Sequence, residues 1–175
     1  MKLEQNYFAL LGQSQHFFID AAAIKQRFRQ LQRKYHPDRY AGKSPQEQRL
    51  AVQFSAHINT AYAVLDNPVR RAQHMLALKG IEVDHQNSTI SDTGFLMAQM
   101  ETREALDEAR ATNDRQALEQ LLVQTQAQYE VSQKNFARLI DADAIENSAL
   151  IDCVGKMQFY EKLTQEITTI VSGMA

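Results

Sequence analysis

Long hydrophobic segments are missing from this 175-residue sequence. No stretch approaches the ~18 consecutive apolar residues that a membrane-spanning helix needs. The first residues include Lys2, but no apolar run followed by a small-residue cleavage site, so they do not have the form of a signal peptide. We therefore expect a soluble protein of the cytoplasm.

Cysteine is nearly absent as well, since Cys153 is the only one. A single cysteine excludes an internal disulfide, and no nearby histidine stands at the spacing of a metal ligand. The sequence therefore predicts no metal site and no cofactor. We expect Cys153 to be a small apolar residue on a buried helix face.

Strand signals are lacking throughout the chain, because no run of alternating β-branched residues occurs. There is also no internal repeat and no low-complexity tract. Apolar residues make up 44% of the sequence, which is enough to fill a core. The sequence predicts an all-α protein.

Charge is divided unevenly between the two halves of the chain. Residues 1–80 contain 12 Lys/Arg and 5 Asp/Glu, whereas residues 81–175 contain 7 and 16. The basic half carries +7 and the acidic half −9, which together give the net charge of −2. Such asymmetry favours two surfaces that attract different partners.

The basic half shows two long helical patterns of similar length. Between residues 21 and 36 the apolar residues form one stripe: Ile24, Phe28, Leu31 and Tyr35. Pro37 must stop this helix, so His36 is its last possible residue. After a loop over residues 38–43, Ser44 and Glu47 form the pattern of a capping box that starts a second helix.

The second helix presents a matching stripe made of Ala51, Phe54, Ile58, Ala61, Tyr62 and Leu65. We expect the two helices to pair as an antiparallel hairpin with the loop at its tip. Short helices flank the hairpin: one follows Asn6 and ends at Gly12, and the other starts at Asn67 and stops near Gly80.

Helical periodicity is lost over residues 80–91, where turn-forming residues gather. We therefore expect a first domain over 1–79, a linker over 80–91 and a second domain over 92–175. The second domain has three long helical patterns, at about 92–111, 114–140 and 143–172. Their apolar spacing by three and four residues predicts a three-helix bundle.

The predicted hairpin tip holds His36, Pro37 and Asp38. Proline stiffens the turn, so an imidazole and a carboxylate are held towards solvent. Lys25, Arg29 and Arg33 form a basic flank of the preceding helix that leads to this tip and on to Arg39. An isolated tripeptide of this kind would indicate only a helix stop, but beside a basic flank it favours a docking surface for an acidic partner.

A second candidate surface lies on the helix at 92–111. We expect one side of this helix to face the core through Phe95, Ala98, Thr102, Ala105, Leu106 and Ala109. Roughly opposite lie Leu96, Met97, Met100, Glu101, Glu104 and Glu108. Adaptable thioethers beside carboxylates are typical of a protein-binding patch. The alternative is that Leu96, Met97 and Met100 pack beneath the first domain as interdomain core.

Three segments resemble the J-domain family of co-chaperones: Asn-Tyr-Phe-Ala-Leu-Leu-Gly at 6–12, Tyr-His-Pro-Asp-Arg at 35–39 and Ala-Tyr-Ala-Val-Leu at 61–65. The resemblance covers residues 1–76 and implies the fold derived above. It also implies that the helix at 21–36 and the His36-Pro37-Asp38 loop dock on a DnaK-type chaperone and stimulate its ATP hydrolysis. No catalytic residue is expected in the chain itself.

The rest of the chain is similar to the HscB family of J-domain co-chaperones, which serve iron–sulfur cluster assembly. The similarity rests on the segments 92–108 and 156–163. It implies an HscA-like chaperone partner and an IscU-like scaffold as client, bound through the second candidate surface with Phe159 from the last helix. Ala98 departs from the family, where an acidic residue is common. The cysteine-bearing extension of eukaryotic members is missing, which favours the bacterial form.

Other functions fit the residues less well. An enzyme using His36 and Asp38 as an acid–base pair would need a pocket and a nucleophile, and a loop tip provides neither. Nucleic-acid binding through residues 25–39 conflicts with the overall acidity and with the few basic residues elsewhere. A J-domain co-chaperone that serves a different client is the remaining alternative.

Overall fold

The computed structural model describes residues 6–82, 92–142 and 146–174. All regular secondary structure in these ranges is helical, which confirms the predicted all-α class. The elements are α1 (Tyr7–Leu10), α2 (Ala21–Tyr35), a 3-10 helix (Pro37–Tyr40), α3 (Pro45–Asp66), α4 (Pro68–Leu78), α5 (Thr93–Ala111), α6 (Arg115–Ile140) and α7 (Asn147–Gly173). None of the described helices is both long enough and apolar enough to cross a membrane.

The chain divides into two compact units, Met1–Gly80 and Ile81–Ala175. The first unit contains α1 to α4 and the second contains α5 to α7. Most of the predicted linker at 80–91 lies outside the described residues. The domain limits at 79 and 92 therefore stay predictions.

Helix starts in the first unit follow from side chains that accept hydrogen bonds from otherwise unpaired backbone N–H groups. Asn6 accepts from Phe8 and Ala9, and Asp20 accepts from Ala23. The capping box between Ser44 and Glu47 is present in both directions, as predicted. The Ser44 hydroxyl and N–H lower the pKa of the Glu47 carboxyl.

The antiparallel hairpin of α2 and α3 is confirmed by contacts between the two helices. The ring of Phe28 stacks on Tyr62 with centroids 4.2 Å apart, and Tyr35 stacks on Phe54 at 5.3 Å. Between these pairs, Gln32 donates to Asn59 at 3.0 Å. The contacting residue number rises along α2 from 28 to 35 while its partner's number on α3 falls from 62 to 54, so the two helices run in opposite directions. The shared core of the pair includes Ile24, Leu31, Ile58 and Leu65.

The hairpin loop differs from the prediction in two details. Helix α2 ends at Tyr35, one residue before the predicted limit, because His36 adopts extended geometry with φ −60° and ψ 130°. The following residues are not irregular, since Pro37–Tyr40 forms a 3-10 helix. A short 3-10 helix lets the chain reverse within a few residues and still satisfy its backbone hydrogen bonds.

A buried arginine ties the first unit together, and the sequence pattern did not indicate it. Arg71 on α4 is 8% exposed. Its Nε donates to the carbonyl oxygen of Leu65 at 2.8 Å, and its Nη1 donates to that of Phe17 at 2.7 Å. The guanidinium also lies over the ring of Phe17. Buried charge is tolerated here because several groups hold it at once.

The second unit is built around the long contact between α6 and α7, with α5 packed on α6. Leu118 near the start of α6 shares a buried cluster with Leu163 and Ile167 in the second half of α7, so these two helices run antiparallel. Its buried core includes Leu118 and Phe136 from α6 and Val154, Met157 and Leu163 from α7. Two polar residues, Thr125 and Ser132, are also buried, and each donates its hydroxyl to the carbonyl oxygen four residues earlier. The predicted three-helix architecture is confirmed.

Three predictions for the second unit need correction. The buried stripe of α5 is narrower than expected, because Phe95, Leu106 and Ala109 are buried while Ala98 and Ala105 are exposed. Helix α7 begins at Asn147 rather than 143, and residues 143–145 lie outside the described residues. Cys153 is only partly buried, and this burial raises the pKa of its thiol.

Candidate functional site

The tip of the hairpin holds His36 and Asp38 in one arrangement. Nδ1 of His36 accepts a hydrogen bond from the backbone N–H of Asp38 at 3.3 Å, and Oδ2 of Asp38 lies 3.4 Å from the same nitrogen. An Nδ1 that accepts the backbone hydrogen bond carries no proton, and the proton of that tautomer lies on Nε2. A protonated imidazole would instead pair through Nδ1 with the Asp38 carboxylate.

Both side chains of this pair are open to a partner. The side chain of His36 is 57% exposed and that of Asp38 is 89% exposed. The Nε2–H group can donate a hydrogen bond outward, and the carboxylate can accept one. Pro37 between them sets the backbone angle that turns the chain away from α2.

Hydrogen bonds hold the tip from both sides. Before the tip, Nη1 of Arg39 donates to the carbonyl oxygen of Arg33 in the last turn of α2 at 3.1 Å. After the tip, Nε2 of Gln48 on α3 donates to the carbonyl oxygens of Ala41 and Lys43 at 3.1 and 2.9 Å. These bonds use carbonyl groups that a helix end and a loop otherwise leave to water. The loop is therefore pre-organised for binding.

The basic flank of α2 leads to this tip. Lys25, Arg29 and Arg33 are exposed and four residues apart, so they form one ridge along the helix. A shallow groove of about 750 Å³ joins the end of this ridge to the tip, and it is lined by Arg29, Gln32, Arg33, His36, Arg39 and Ser55. Lys25 lines an adjoining groove along α2 with Arg29 and Arg33. We call Lys25, Arg29, Arg33, Arg39 and the His36-Pro37-Asp38 loop the tip surface.

Sequence reasoning missed two residues of this groove. Gln32 and Ser55 lie beside the arginines, with Ser55 contributed by α3. Gln32 is held by its hydrogen bond to Asn59. The only sequence signal for Ser55 is its polar position next to the apolar stripe of α3, which says nothing about its nearness to His36.

The second candidate surface lies on α5. Leu96 is 38% exposed, Met97 60% and Met100 66%. Glu101, Glu104 and Glu108 are exposed as well. Because Leu96, Met100, Glu104 and Glu108 succeed one another at intervals of four, they form one ridge, with Met97 and Glu101 beside it. We call these six residues the α5 ridge.

Helix α5 is anchored on its other side. Asp92 accepts a hydrogen bond from the N–H of Phe95 at 3.0 Å and another from Nζ of Lys156 on α7 at 2.6 Å. The Lys156 hydrogen bond is the main reason that the pKa of Asp92 is lowered. Leu106 and Ala109 pack with Leu118, Leu163 and Ile167 in one buried cluster. The ridge residues are therefore not needed for this core.

Phe159 differs from the α5 ridge in its surroundings. It is partly buried against the cluster that contains Leu106 and Leu163. Its ring also meets Phe95 edge-on with centroids 5.6 Å apart, and the guanidinium of Arg103 lies over it at 5.9 Å. Arg103 is held in turn by an ion pair with Glu166. These contacts give Phe159 a packing role whether or not a client also touches it.

Neither surface encloses a small-molecule site. Within residues 6–82, 92–142 and 146–174, no group of three or more His, Cys, Asp or Glu side chains could hold a metal ion. Both candidate surfaces are open to solvent. The tip surface is basic, and the α5 ridge combines acidic residues with exposed apolar ones. Such surfaces suit protein partners.

Comparison with known families divides the chain in the same way as its structure. Residues 6–74 match the family described as the DnaJ domain. Residues 91–168 match the family described as the HSCB C-terminal oligomerisation domain. The two matches together cover most of the sequence.

Individual relatives match along the whole chain. A co-chaperone protein HscB homolog of Shewanella baltica (strain OS223) is 42% identical over 171 residues, which are 97% of this chain and 98% of the relative. The structure of the chaperone HscB from Vibrio cholerae superposes with a TM-score of 0.85 at 33% identity, covering 97% of this chain and 99% of the other. Human co-chaperone protein HscB gives a TM-score of 0.86 at 27% identity, covering 94% and 81%.

Proposed function

The chain belongs to the HscB family of J-domain co-chaperones, and from this premise we propose that it serves iron–sulfur cluster assembly. In this proposal it binds an IscU-like scaffold protein and delivers it to an HscA-like chaperone of the DnaK type. It then stimulates ATP hydrolysis by that chaperone. The observation that carries the proposal is the groove that joins His36 to Arg29, Arg33 and Arg39.

The tip surface is the proposed chaperone-binding site. Arg29, Arg33 and the neighbouring Lys25 attract an acidic surface of the chaperone and set the orientation in which the two proteins meet. Arg39 holds the loop through its bond to the Arg33 carbonyl. His36 then presents Nε2–H, and Asp38 presents its carboxylate, at a fixed position on the chaperone. Pro37 keeps this loop from rearranging.

Stimulation in this proposal requires no chemistry on the J-domain. The hydrolysed nucleotide belongs to the chaperone, and the tip surface changes the relative stability of two chaperone conformations by binding one of them better. The pre-organised loop reduces the entropy that docking costs. We assign no catalytic residue, no metal and no cofactor to the chain, and we place the activity in the cytoplasm.

The α5 ridge is the proposed client-binding site. Leu96, Met97 and Met100 offer exposed apolar surface that a partner can cover, and thioether side chains adapt to its shape. Glu101, Glu104 and Glu108 continue the ridge and favour a client with a basic patch. Phe159 supports this site from below through its contact with Phe95. Direct contact between Phe159 and the client stays a prediction.

A reconstituted ATPase assay tests the proposed function. Purified HscA-like chaperone is mixed with the IscU-like scaffold and with either the wild-type chain or His36→Gln, and single-turnover ATP hydrolysis is measured. We expect His36→Gln to lose stimulation while its circular dichroism spectrum and its scaffold affinity stay unchanged, because His36 is exposed and lies outside the core. The matched control is His16→Gln, which changes another exposed histidine of the same unit.

The outcomes separate the parts of the proposal. Normal stimulation by folded His36→Gln would contradict the assignment of the tip surface. If the wild-type chain stimulates ATP hydrolysis but does not bind the scaffold, the protein is a J-domain co-chaperone that serves a different client. An unbiased pull-down from the native cell would then identify that client.

A further inference from the structure

The methionines of this chain have two kinds of surroundings. Met97 and Met100 on α5 have 60% and 66% of their surface exposed. By contrast, Met75 on α4 and Met157 on α7 are almost fully buried, and Met174 packs against the buried cluster of the second unit. Among the methionines that the structure describes, the two on α5 are therefore the ones that a dissolved reagent reaches most easily.

Acidic side chains stand beside both exposed thioethers. Met97 and Met100 are three positions apart on α5, and Glu101 and Glu104 each follow one of them by four positions. Side chains at these spacings are neighbours on a helix, with Cβ atoms about 5–6 Å apart. All four side chains are exposed. A positive charge that develops on either sulfur is therefore stabilised by a nearby carboxylate.

We propose that Met97 and Met100 form an oxidation site, at which hypochlorous acid converts both thioethers to sulfoxides and so releases a client from the α5 ridge. The release rests on the proposed client-binding site, whereas the oxidation itself depends only on exposure and chemistry. Methionine sulfoxide is reduced enzymatically to methionine, so the modification is reversible. Client binding then depends on the balance between oxidant and reductant around the protein.

The oxidation is a two-electron step at sulfur. A sulfur lone pair attacks the chlorine of hypochlorous acid, the Cl–O bond breaks, and hydroxide leaves. Water then adds to the positively charged chlorosulfonium centre, chloride departs, and water gives up both protons, one of which neutralises the hydroxide. The net products are the sulfoxide, chloride and one proton, so methionine loses two electrons and the oxidant gains them. Glu101 and Glu104 stabilise the positively charged intermediate.

A sulfoxide removes apolar surface from the α5 ridge and puts a polar group in its place. The S=O group accepts hydrogen bonds, and its burial is unfavourable unless the partner provides a donor. The rest of the ridge consists of Leu96 and glutamates, and charged carboxylates have no donor to offer. A client that covers thioethers therefore loses its apolar contact.

The fold is expected to tolerate this modification. Helix α5 is held by Phe95, Leu106 and Ala109, which are buried on its other side. Oxidation of Met97 and Met100 adds one oxygen atom to each of two side chains that are mostly in solvent. The oxidised chain should therefore keep the circular dichroism spectrum and the melting temperature of the untreated chain.

Peptide mass spectrometry tests the oxidation site directly. Cys153→Ser is treated with limiting hypochlorous acid, because this background removes the only thiol that competes for the oxidant. Met97 and Met100 are expected to gain oxygen at least tenfold faster than Met75 and Met157. Equal oxidation of all four methionines in a folded chain would overturn the proposal.

Scaffold titration tests the consequence for the client. The oxidised chain is freed of oxidant and titrated calorimetrically with an untreated IscU-like scaffold. Its affinity is expected to be at least tenfold lower than before oxidation, and to return after treatment with the two reductases that act on the two sulfoxide epimers. An unchanged affinity of a chain that carries both sulfoxides would overturn the control of client binding.

Leucine substitutions separate these two methionines from every other oxidisable residue. In the same background, Met97→Leu/Met100→Leu keeps a similar volume without a sulfur atom, so it should bind the scaffold normally and keep its affinity after oxidation. The matched control, Met174→Leu, changes a methionine outside the α5 ridge and should still lose affinity on oxidation. Equal losses in both variants would overturn the proposal.

Failure of the proposed client site has a different signature in these experiments. If the untreated chain does not bind the scaffold, the assignment of the client to the α5 ridge is wrong. Selective oxidation of Met97 and Met100 in the mass spectra would still support the oxidation site, and unselective oxidation would overturn it.

Discussion

The backbone N–H of Tyr7 donates a hydrogen bond to Nε2 of His74, 3.3 Å away and 67 residues further along the chain. The two rings also stack, with centroids 4.4 Å apart and planes 17° from parallel. This contact attaches the first turn of α1 to α4. It requires an unprotonated Nε2, and burial lowers the pKa of His74 below its ordinary value of 6.5.

The stability of the first unit is therefore expected to fall at mildly acidic pH. Because the folded pKa of His74 is lower than the unfolded one, the unfolded chain binds more protons, and folding is favoured less as pH falls. The stabilisation is fully present above about pH 6.5 and is lost as pH falls through the folded pKa. Loss of a hydrogen bond worth about 1 kcal/mol would lower the melting temperature by about 4–8 °C.

Thermal melts between pH 7.5 and 5.5 measure this effect, in a range where most carboxyl groups stay charged. His74→Gln should melt lower at pH 7.5 and lose much of the pH dependence, whereas the exposed His16→Gln should keep it. A wild-type melting temperature that does not change over this range would contradict a structural role for neutral His74.

The basic ridge of α2 is expected to attract the chaperone electrostatically. Arg29→Glu or Arg33→Glu should weaken chaperone binding about tenfold or more, because each reverses a charge beside the tip. Arg27→Glu is the matched control: it makes the same change on the same helix, but on a different side. Isothermal titration calorimetry with the chaperone measures all three, and scaffold affinity should not change.

Salt provides an independent measure of the same interaction. Raising ionic strength from about 0.1 M to about 1 M shortens the Debye length from about 10 Å to about 3 Å. The wild-type affinity for the chaperone should therefore fall, and the affinity of Arg29→Glu should fall less. A wild-type affinity that is independent of salt would contradict electrostatic docking by α2.

Truncation of the α5 ridge is expected to weaken client binding without unfolding the protein. Leu96→Ala/Met97→Ala/Met100→Ala removes apolar surface that a scaffold would cover. Full burial of one such side chain contributes about 1.5–3 kcal/mol to binding. Even when this contribution is discounted for partial burial, we expect the complex to be at least tenfold weaker. The melting temperature should change little, since these residues are 38–66% exposed.

The matched control for this experiment is Val123→Ala/Val131→Ala, which removes exposed apolar side chains elsewhere in the same unit. Its scaffold affinity should equal that of the wild type. If the triple variant melts early instead, Leu96, Met97 and Met100 belong to a packed interface within the chain. An unchanged affinity in a folded triple variant would exclude the α5 ridge as the client site.

Phe159 is expected to behave differently from the α5 ridge. Phe159→Ala removes a ring that packs against Phe95 and the Leu106 cluster, so it should lower the free energy of unfolding by about 2–3 kcal/mol, less than a fully buried phenylalanine would. Phe159→Leu should recover part of this loss. Denaturant melts measure the stability, and scaffold titration well below the melting temperature measures any direct contact. Unchanged stability in Phe159→Ala would contradict the packing role.

Much of the fold could be predicted because its signals are local. The helix starts at Asn6, Asp20 and Ser44 depend on side chains that bond backbone groups two or three residues away. The exposed tip at His36 follows from Pro37, which ends a helix whatever surrounds it. The helical period likewise placed Leu96, Met97 and Met100 on one exposed side of α5.

What the period could not predict is how much of a helix its neighbours cover. Ala98 and Ala105 have the apolar character of core residues, but they are exposed because α5 buries only a narrow stripe. Phe159 was expected at the client surface from the family alone, and the structure also gives it packing contacts with Phe95 and Arg103.

The sequence by itself therefore determined the helices, their caps, the exposed tip and the composition of the basic and acidic surfaces, since these depend on residues within a few positions of one another. Only the tertiary structure decided that Arg71 is buried against the carbonyl oxygen of Phe17, that His74 holds α1, and that Ser55 joins His36 and Arg33 in one groove. These relationships link residues 19 to 67 positions apart in the chain. They form only once the helices have packed. Which residues become neighbours depends on how whole helix faces pack together, and a local sequence pattern does not contain that information.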